Sequence, residues 1–247
     1  MRRTVTVLSA LLTLALAQSP TPVVVELFSS EGCSSCPQAE RALAALQVPG
    51  LEVIALERHV DYWNQLGWVD PFSSSAASRA QQRGDQLRGF GVYTPQLIVD
   101  GRVAFSSGRR LEAEVVTAAE RVPRPALSMS VAVQASARTV TARVEGVSGR
   151  VEFFVVEAGL VSQVRRGENA GETLAHAPVV RSSVLGSPCD EAGGVCPLPS
   201  STTRRVATFT LDPSWNVEHL SVVAVAREGE AGPVTAAARR SVDPRAR

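Results

Sequence analysis

The stretch VVVELFSSEGCSSCPQAERALAALQ, Val23 to Gln47, decides how this chain folds. Its apolar run is dominated by β-branched residues and stops at two serines and a glycine, so it reads as a buried strand. The segment after it reads as a helix from Pro37 to Gln47, with the proline in the first turn, where a missing N–H costs nothing. Cys33 is then expected at the helix entrance and Cys36 one turn further in. Unpaired N–H groups and the positive end of the helix dipole favour a thiolate, so an exposed Cys33 with a depressed pKa is expected, and Cys36 is its natural resolving partner.

Separated by two serines, these thiols can close a disulfide without backbone movement, and a partner thiol can open it. The spacing admits three readings: a redox pair, a structural disulfide and half of a metal site. A zinc site would call for a second pair of similar spacing, whereas the other two cysteines, Cys189 and Cys196, lie further apart and in a different setting.

Upstream, Met1-Arg2-Arg3 is followed by the apolar TVTVLSALLTLALA and an Ala15-Leu16-Ala17 finish. A positive start, a short apolar middle and small residues at the end make residues 1–17 an expected secretory signal peptide, leaving residues 18–22 as a lead into the fold. The apolar run is shorter than the roughly 20 residues a membrane span needs, so no span is expected after cleavage. A periplasmic or secreted location follows as the expectation. In such a compartment disulfides persist, and four cysteines can form two pairs: Cys33 with Cys36, and Cys189 with Cys196 as a structural disulfide closing a loop, worth about 2 kcal/mol. The net charge of +1 gives no reason to expect nucleic acid as a partner. Every basic side chain is arginine, and the arginines are scattered rather than clustered.

Downstream, LEVIALERHV (Leu51 to Val60) reads as a second strand, parallel to the first. A helix-compatible segment follows from Phe72 to Arg88. Asp100-Gly101 between QLIV and VAF is a two-residue hairpin signal, and Leu111 to Val122 reads as a helix. Pro123 and Pro125 mark a linker at residues 123–126. Beyond it, residues 127–242 carry six short alternating runs: LSMSVAVQA, TVTARVEG, RVEFFVVEA, RRVATFTLD, LSVVAVARE and VTAAARRSV. They predict an all-β, immunoglobulin-like sandwich interrupted by a long connection from Leu160 to Thr203, with residues 243–247 as a tail.

Strand with CxxC, helix, strand, helix, hairpin, helix is the order of the thioredoxin fold, so residues 23–122 resemble a thioredoxin-like α/β domain. In such proteins a cis-proline lies against the CxxC and the residue before it offers its backbone to an incoming peptide; the resemblance carries that role to Thr94 and Pro95, although an ordinary trans proline at a strand start is the alternative. VELFSSEGCSSCPQAE, HVDYWNQLGWVDPF and GVYTPQLIVDGR together resemble the exported bacterial thioredoxin-like family catalogued as domain of unknown function 1223. VRRGENAGETLAHAPVVR looks like that family's second half, so the resemblance covers most of the chain past residue 22.

HVDYWNQLGWVD begins at the C-terminal end of the second strand, the edge at which ligand chemistry gathers in open α/β sheets. His59 there reads either as a group that tunes a Cys33 thiolate, with Asp61 orienting the imidazole, or as a satisfied strand residue, while Tyr62, Trp63 and Trp68 either wall the site or cap the core. Arg166, Glu168, Asn169 and His176 read either as a self-bonded turn or as a segment packed on the first domain, shaping a groove at the CxxC. His219 reads as structural.

The expectation is an exported thiol–disulfide oxidoreductase exchanging disulfides with protein or small thiols and needing no separate cofactor, since the cysteines carry the electrons. The alternative is a non-enzymatic carrier of copper or zinc through Cys33, Cys36 and His59, or an interaction module in which the cysteine pair is a staple.

Overall fold

A computed structural model describes residues 22–121, 127–147, 149–187 and 204–243. The expected signal peptide, linker and Cys189–Cys196 pair lie outside the described residues.

The chain is a mixed α/β protein. Its first part runs β1 (Val23–Ser29), α1 (Cys36–Ala44), β2 (Val53–His59), α2 (Ser75–Arg88), β3 (Gln96–Val99), β4 (Val103–Phe105) and α3 (Leu111–Glu120). Its second part runs β5 (Ser128–Gln134), β6 (Thr139–Glu145), β7 (Arg150–Glu157), β8 (Val161–Gln163), β9 (Thr173–Ala175), β10 (Val179–Leu185), β11 (Arg205–Thr210), β12 (Leu220–Arg227) and β13 (Val234–Ser241). All six runs expected after the linker are strands. Residues 160–187, by contrast, are not the featureless connection the sequence suggested: β8, β9 and β10 lie within them, short or rich in serine and arginine, and so without an apolar signature.

β1 is buried along its whole length because both of its faces are covered. Val23, Val25 and Leu27 pack with Ala39 and Leu43 of α1 and Leu111 and Val115 of α3. Val24 turns the other way, towards Ile54, Leu56, Phe154 and Val225. β1 pairs parallel with β2, with Ser29 opposite His59, and antiparallel with β3, with Phe28 opposite Gln96. Both ends of α2 are fixed: the Ser74 hydroxyl accepts from the Ala77 N–H at 3.2 Å, a cap worth about 1 kcal/mol, and Gly89 closes the helix in the left-handed region. The β3–β4 turn uses Asp100 and Gly101, both at positive φ, as the hairpin signal requires. Gly101 has no substitute, since a Cβ there would lie 2.6 Å from the Gly232 carbonyl oxygen.

The two parts share one eight-stranded sheet in the order β13-β12-β7-β10-β2-β1-β3-β4. The junction is β10, which lies parallel to β2 with Val179 opposite Glu57, and the Glu57 N–H donates to the Pro178 carbonyl at 2.9 Å. The sheet curls, because the Val234 N–H at the start of β13 reaches the Asp100 carbonyl at 2.9 Å although β13 and β3 are far apart in strand order. A buried ion cluster crosses the enclosed core: Glu26 of β1 accepts from Arg58 of β2 at 3.0 Å and from Arg227 of β12 at 2.6 Å. A second sheet, β11-β6-β5, covers the outer face of β7, β12 and β13 through Val140, Ala142, Phe209, Phe153 and Val222.

Candidate functional site

The end of β1 delivers the CxxC. The Cys33 N–H donates to the Ser30 carbonyl at 3.1 Å and the Cys36 N–H to the Cys33 carbonyl at 3.1 Å, a tight turn that joins the two sulfurs in a disulfide with Cα atoms 5.4 Å apart. The expected exposed Cys33 is corrected here: Cys33 is 1% and Cys36 0% exposed, and only Ser34 and Ser35 face solvent.

The cover comes from the second part of the chain. Between β8 and β9 a strap is closed on itself by the Val164 N–H to the Glu172 carbonyl and the Gly171 N–H to the Val164 carbonyl, at 3.0 and 2.8 Å. The buried Asn169 amide at its tip donates to the Glu31 carbonyl at 2.8 Å and the Cys33 carbonyl at 3.0 Å, and the exposed Glu168 carboxylate accepts from the Ser34 N–H at 3.0 Å. Of the two readings of this segment, packing on the CxxC is the one observed.

HVDYWNQLGWVDP wraps the same turn. Trp63 lies against Gly32 and donates its indole N–H to the Thr94 hydroxyl at 2.9 Å, and Trp68 lies against Gly167 of the strap and donates to Glu31 at 2.6 Å. Tyr62 turns aside to Gln81 of α2 at 3.0 Å. The Thr94–Pro95 bond is cis, and the pairing of β1 with β3 brings it to the edge where Ser29 ends β1.

Of the two readings of His59, the satisfied strand residue is the one observed. Asp61 does not orient it; the Asp61 carboxylate accepts from the Ser78 hydroxyl. His59 Nδ1 faces Asp70 Oδ2 at 2.6 Å and Nε2 faces Glu57 Oε1 at 2.8 Å. His59 turns its nitrogens to carboxylates and the two sulfurs are bonded to each other, so the structure groups His59 with Glu57 and His176 rather than with Cys33 and Cys36. The imidazole belongs instead to a buried cluster. His176, just after β9, stacks edge-on to it with ring centroids 5.0 Å apart. His176 Nε2 lies 3.2 Å from Glu31 Oε1, and Nδ1 lies 3.4 Å from both Glu57 Oε1 and Glu40 Oε2. Glu40 also accepts from Ser29, and Glu31 from Ser162. Burial pushes both imidazoles towards the neutral form, but the surrounding carboxylates reverse it, Asp70 and Glu57 raising His59 to about 10 and Glu31, Glu40 and Glu57 raising His176 to about 12. Glu57 and Asp70 are lowered in turn, burial being outweighed by the histidines.

Sequence reasoning missed Glu31, Glu40, Glu57 and Asp70. Two of them left a trace: Glu40 stands on the apolar stripe Cys36, Ala39, Leu43 of α1, and Glu57 shares the strand face of Val53, Ala55 and His59 that the helices cover. A cavity of about 460 Å³, lined by Phe28, Arg58, Arg83 and Phe90, opens on the opposite face of the sheet and shares no residue with the disulfide.

With its CxxC turn, WNQLGWVD wrap and RGEN strap, the chain belongs to the family described as protein of unknown function (DUF1223), whose model matches residues 24–226. Among solved structures, protein AGR_C_4864 from Agrobacterium tumefaciens is similar over 92% of this chain and 97% of its own, with 23% identity and a TM-score of 0.66. HBP35 of Porphyromonas gingivalis is similar over 93% of this chain and 77% of its own, with 14% identity and a TM-score of 0.64. Both likenesses concern the fold. No curated protein matches the chain.

Proposed function

We propose that the protein is an exported thiol–disulfide oxidoreductase built on a thioredoxin-like unit, with the β7–β12–β13 and β11–β6–β5 layers as an immunoglobulin-like sandwich that braces the strap. The observation carrying this reading is the Cys33–Cys36 disulfide at the β1–α1 turn, on the sheet edge that Thr94 and Pro95 share. A partner thiolate attacks Cys33, forming a mixed disulfide as the Cys33–Cys36 bond breaks and Cys36 leaves as a thiolate. A second partner thiolate then attacks its own sulfur in that mixed disulfide and releases Cys33, so that two electrons pass from the partner's thiols to the pair. In the reverse direction Cys36 resolves the mixed disulfide. Thr94 and Pro95 hold the partner's backbone, and access to Cys33 follows when the strap lifts Asn169 off the turn. His59 acts at most through Glu57 and Glu40, not as a direct base.

The burial of both sulfurs favours a second reading, in which the disulfide is a structural staple under the strap. Equilibration of the mature protein in glutathione buffers, with alkylation read by mass spectrometry, separates the two. A potential between about −120 and −270 mV supports exchange, whereas a value below about −300 mV with inert thiols refutes it in favour of the staple.

A further inference from the structure

We propose that Glu57, His59 and His176, completed by Glu40, form a binding site for one divalent zinc ion, independent of the cysteine pair. One ligand atom from each of Glu57, His59 and His176 lies within 4.8 Å of the others, and all three residues are buried. In a tetrahedral zinc site with bonds of about 2.0–2.1 Å, neighbouring ligand atoms stand about 3.3 Å apart. His176 Nδ1 lies 3.4 Å from Glu57 Oε1 and 3.4 Å from Glu40 Oε2, which already meets that spacing; His59 Nε2 and Glu57 Oε1, at 2.8 Å, need to part by about half an ångström.

Two further observations point to an ion. Glu57 Oε2 is buried and has no hydrogen-bond partner in the structure, a costly state for a carboxylate oxygen and one that a second contact to the ion, beside that of Oε1, relieves. The outer nitrogen of each histidine is held by a carboxylate, His59 Nδ1 by Asp70 and His176 Nε2 by Glu31, the arrangement that orients a metal-bound imidazole, and the ion takes the place of the proton on the inner nitrogen. Two imidazoles and two carboxylates suit a borderline ion, and the absence of an exposed ligand fits a closed, structural site. Such an ion joins β2, α1 and the segment after β9, and so clamps the second part of the chain onto the CxxC layer.

The test uses the whole mature chain, disulfide intact, produced in zinc-supplemented medium so that the ion is present during folding. The expected result is about one zinc per chain by elemental analysis after gel filtration, with X-ray absorption showing nitrogen and oxygen neighbours, imidazole scattering and no sulfur. Asp70→Asn, which removes an orienting partner and no ligand, should weaken zinc retention against a chelator by about ten- to a hundredfold. His59→Gln and His176→Gln should abolish retention. Folded wild-type protein without zinc, sulfur in the zinc shell, or full retention by both histidine variants overturns the proposal. Should the variants fail to fold, the wild-type metal content and ligand shell decide it. None of these readouts depends on disulfide exchange.

Discussion

Replacing Asn169 by alanine tests whether the strap controls access to the disulfide. The Asn169 amide makes two hydrogen bonds across the closed strap, to the carbonyls of Glu31 and Cys33 at 2.8 and 3.0 Å, and the side chain is buried. At about 1 kcal/mol net for each bond, the substitution disfavours the closed strap by about 2 kcal/mol: the Glu31 carbonyl loses its donor, while the Cys33 carbonyl keeps the Cys36 N–H. If a reductant meets Cys33 only in the open form and reclosing is fast, the rate of reduction follows the open population and rises about thirtyfold. The assay is pseudo-first-order reduction of the native protein by a phosphine, quenched by alkylation, with global stability measured in parallel by urea. A rate that does not change while the fold stays intact refutes the gate, and so does a rate that rises only in step with global unfolding.

Glu168→Gln weakens the exposed contact to the Ser34 N–H, so reduction should speed by less than about tenfold, and the change should shrink as pH falls through the folded pKa of the native carboxylate, which the Ser34 hydrogen bonds hold below its ordinary 4.5. Trp68→Phe removes the indole donor to Glu31 at 2.6 Å and should cost about 1 to 2 kcal/mol of stability, read from the urea midpoint. Glu26→Gln leaves Arg227 buried without its counter-charge and Arg58 with only the more distant Glu152 at 3.9 Å, and should cost about 3 to 5 kcal/mol at pH 7. Burial raises the Glu26 carboxyl, but Arg227 and Arg58 bring it below its ordinary 4.5, so its stabilisation is complete above that value and fades as pH falls through the lower folded value; urea midpoints of the variant should show a shallower acid slope.

The strands and helices were legible where one period dominated. Val23 to Phe28 is apolar but for Glu26, and it is buried on both faces. Asp100-Gly101 required a hairpin, and both residues take positive φ. Thr139 to Glu145 alternates, and its burial alternates with it. β10 was not legible, because VVRSSVL has two serines and an arginine at its centre and gains its place from β7 and β2 rather than from its own pattern. The pairing with β2 is decided by a partner more than a hundred residues away, which local propensity does not register.

The site divides along the same line. Cys33, Cys36 and Pro95 announce themselves by spacing, whereas the groups that cover and underlie them do so only through tertiary contact. Asp61 was paired with His59 because it is two residues away, yet on a strand end that continues into a turn the two side chains diverge: Asp61 reaches Ser78 on α2, and His59 reaches Asp70 eleven residues on. The more telling signs were residues that broke an apolar rule. A glutamate on the stripe of α1 and a glutamate beside a histidine on the helix-covered face of β2 are each expensive to bury alone. Together, and with His176 brought in by the strand that the sequence hid, they offset one another's cost. An acidic residue that interrupts a buried face therefore predicts a partner from elsewhere in the chain, and in this fold that partner arrives on the segment that also covers Cys33, so cover and charge cluster stand or fall as one unit.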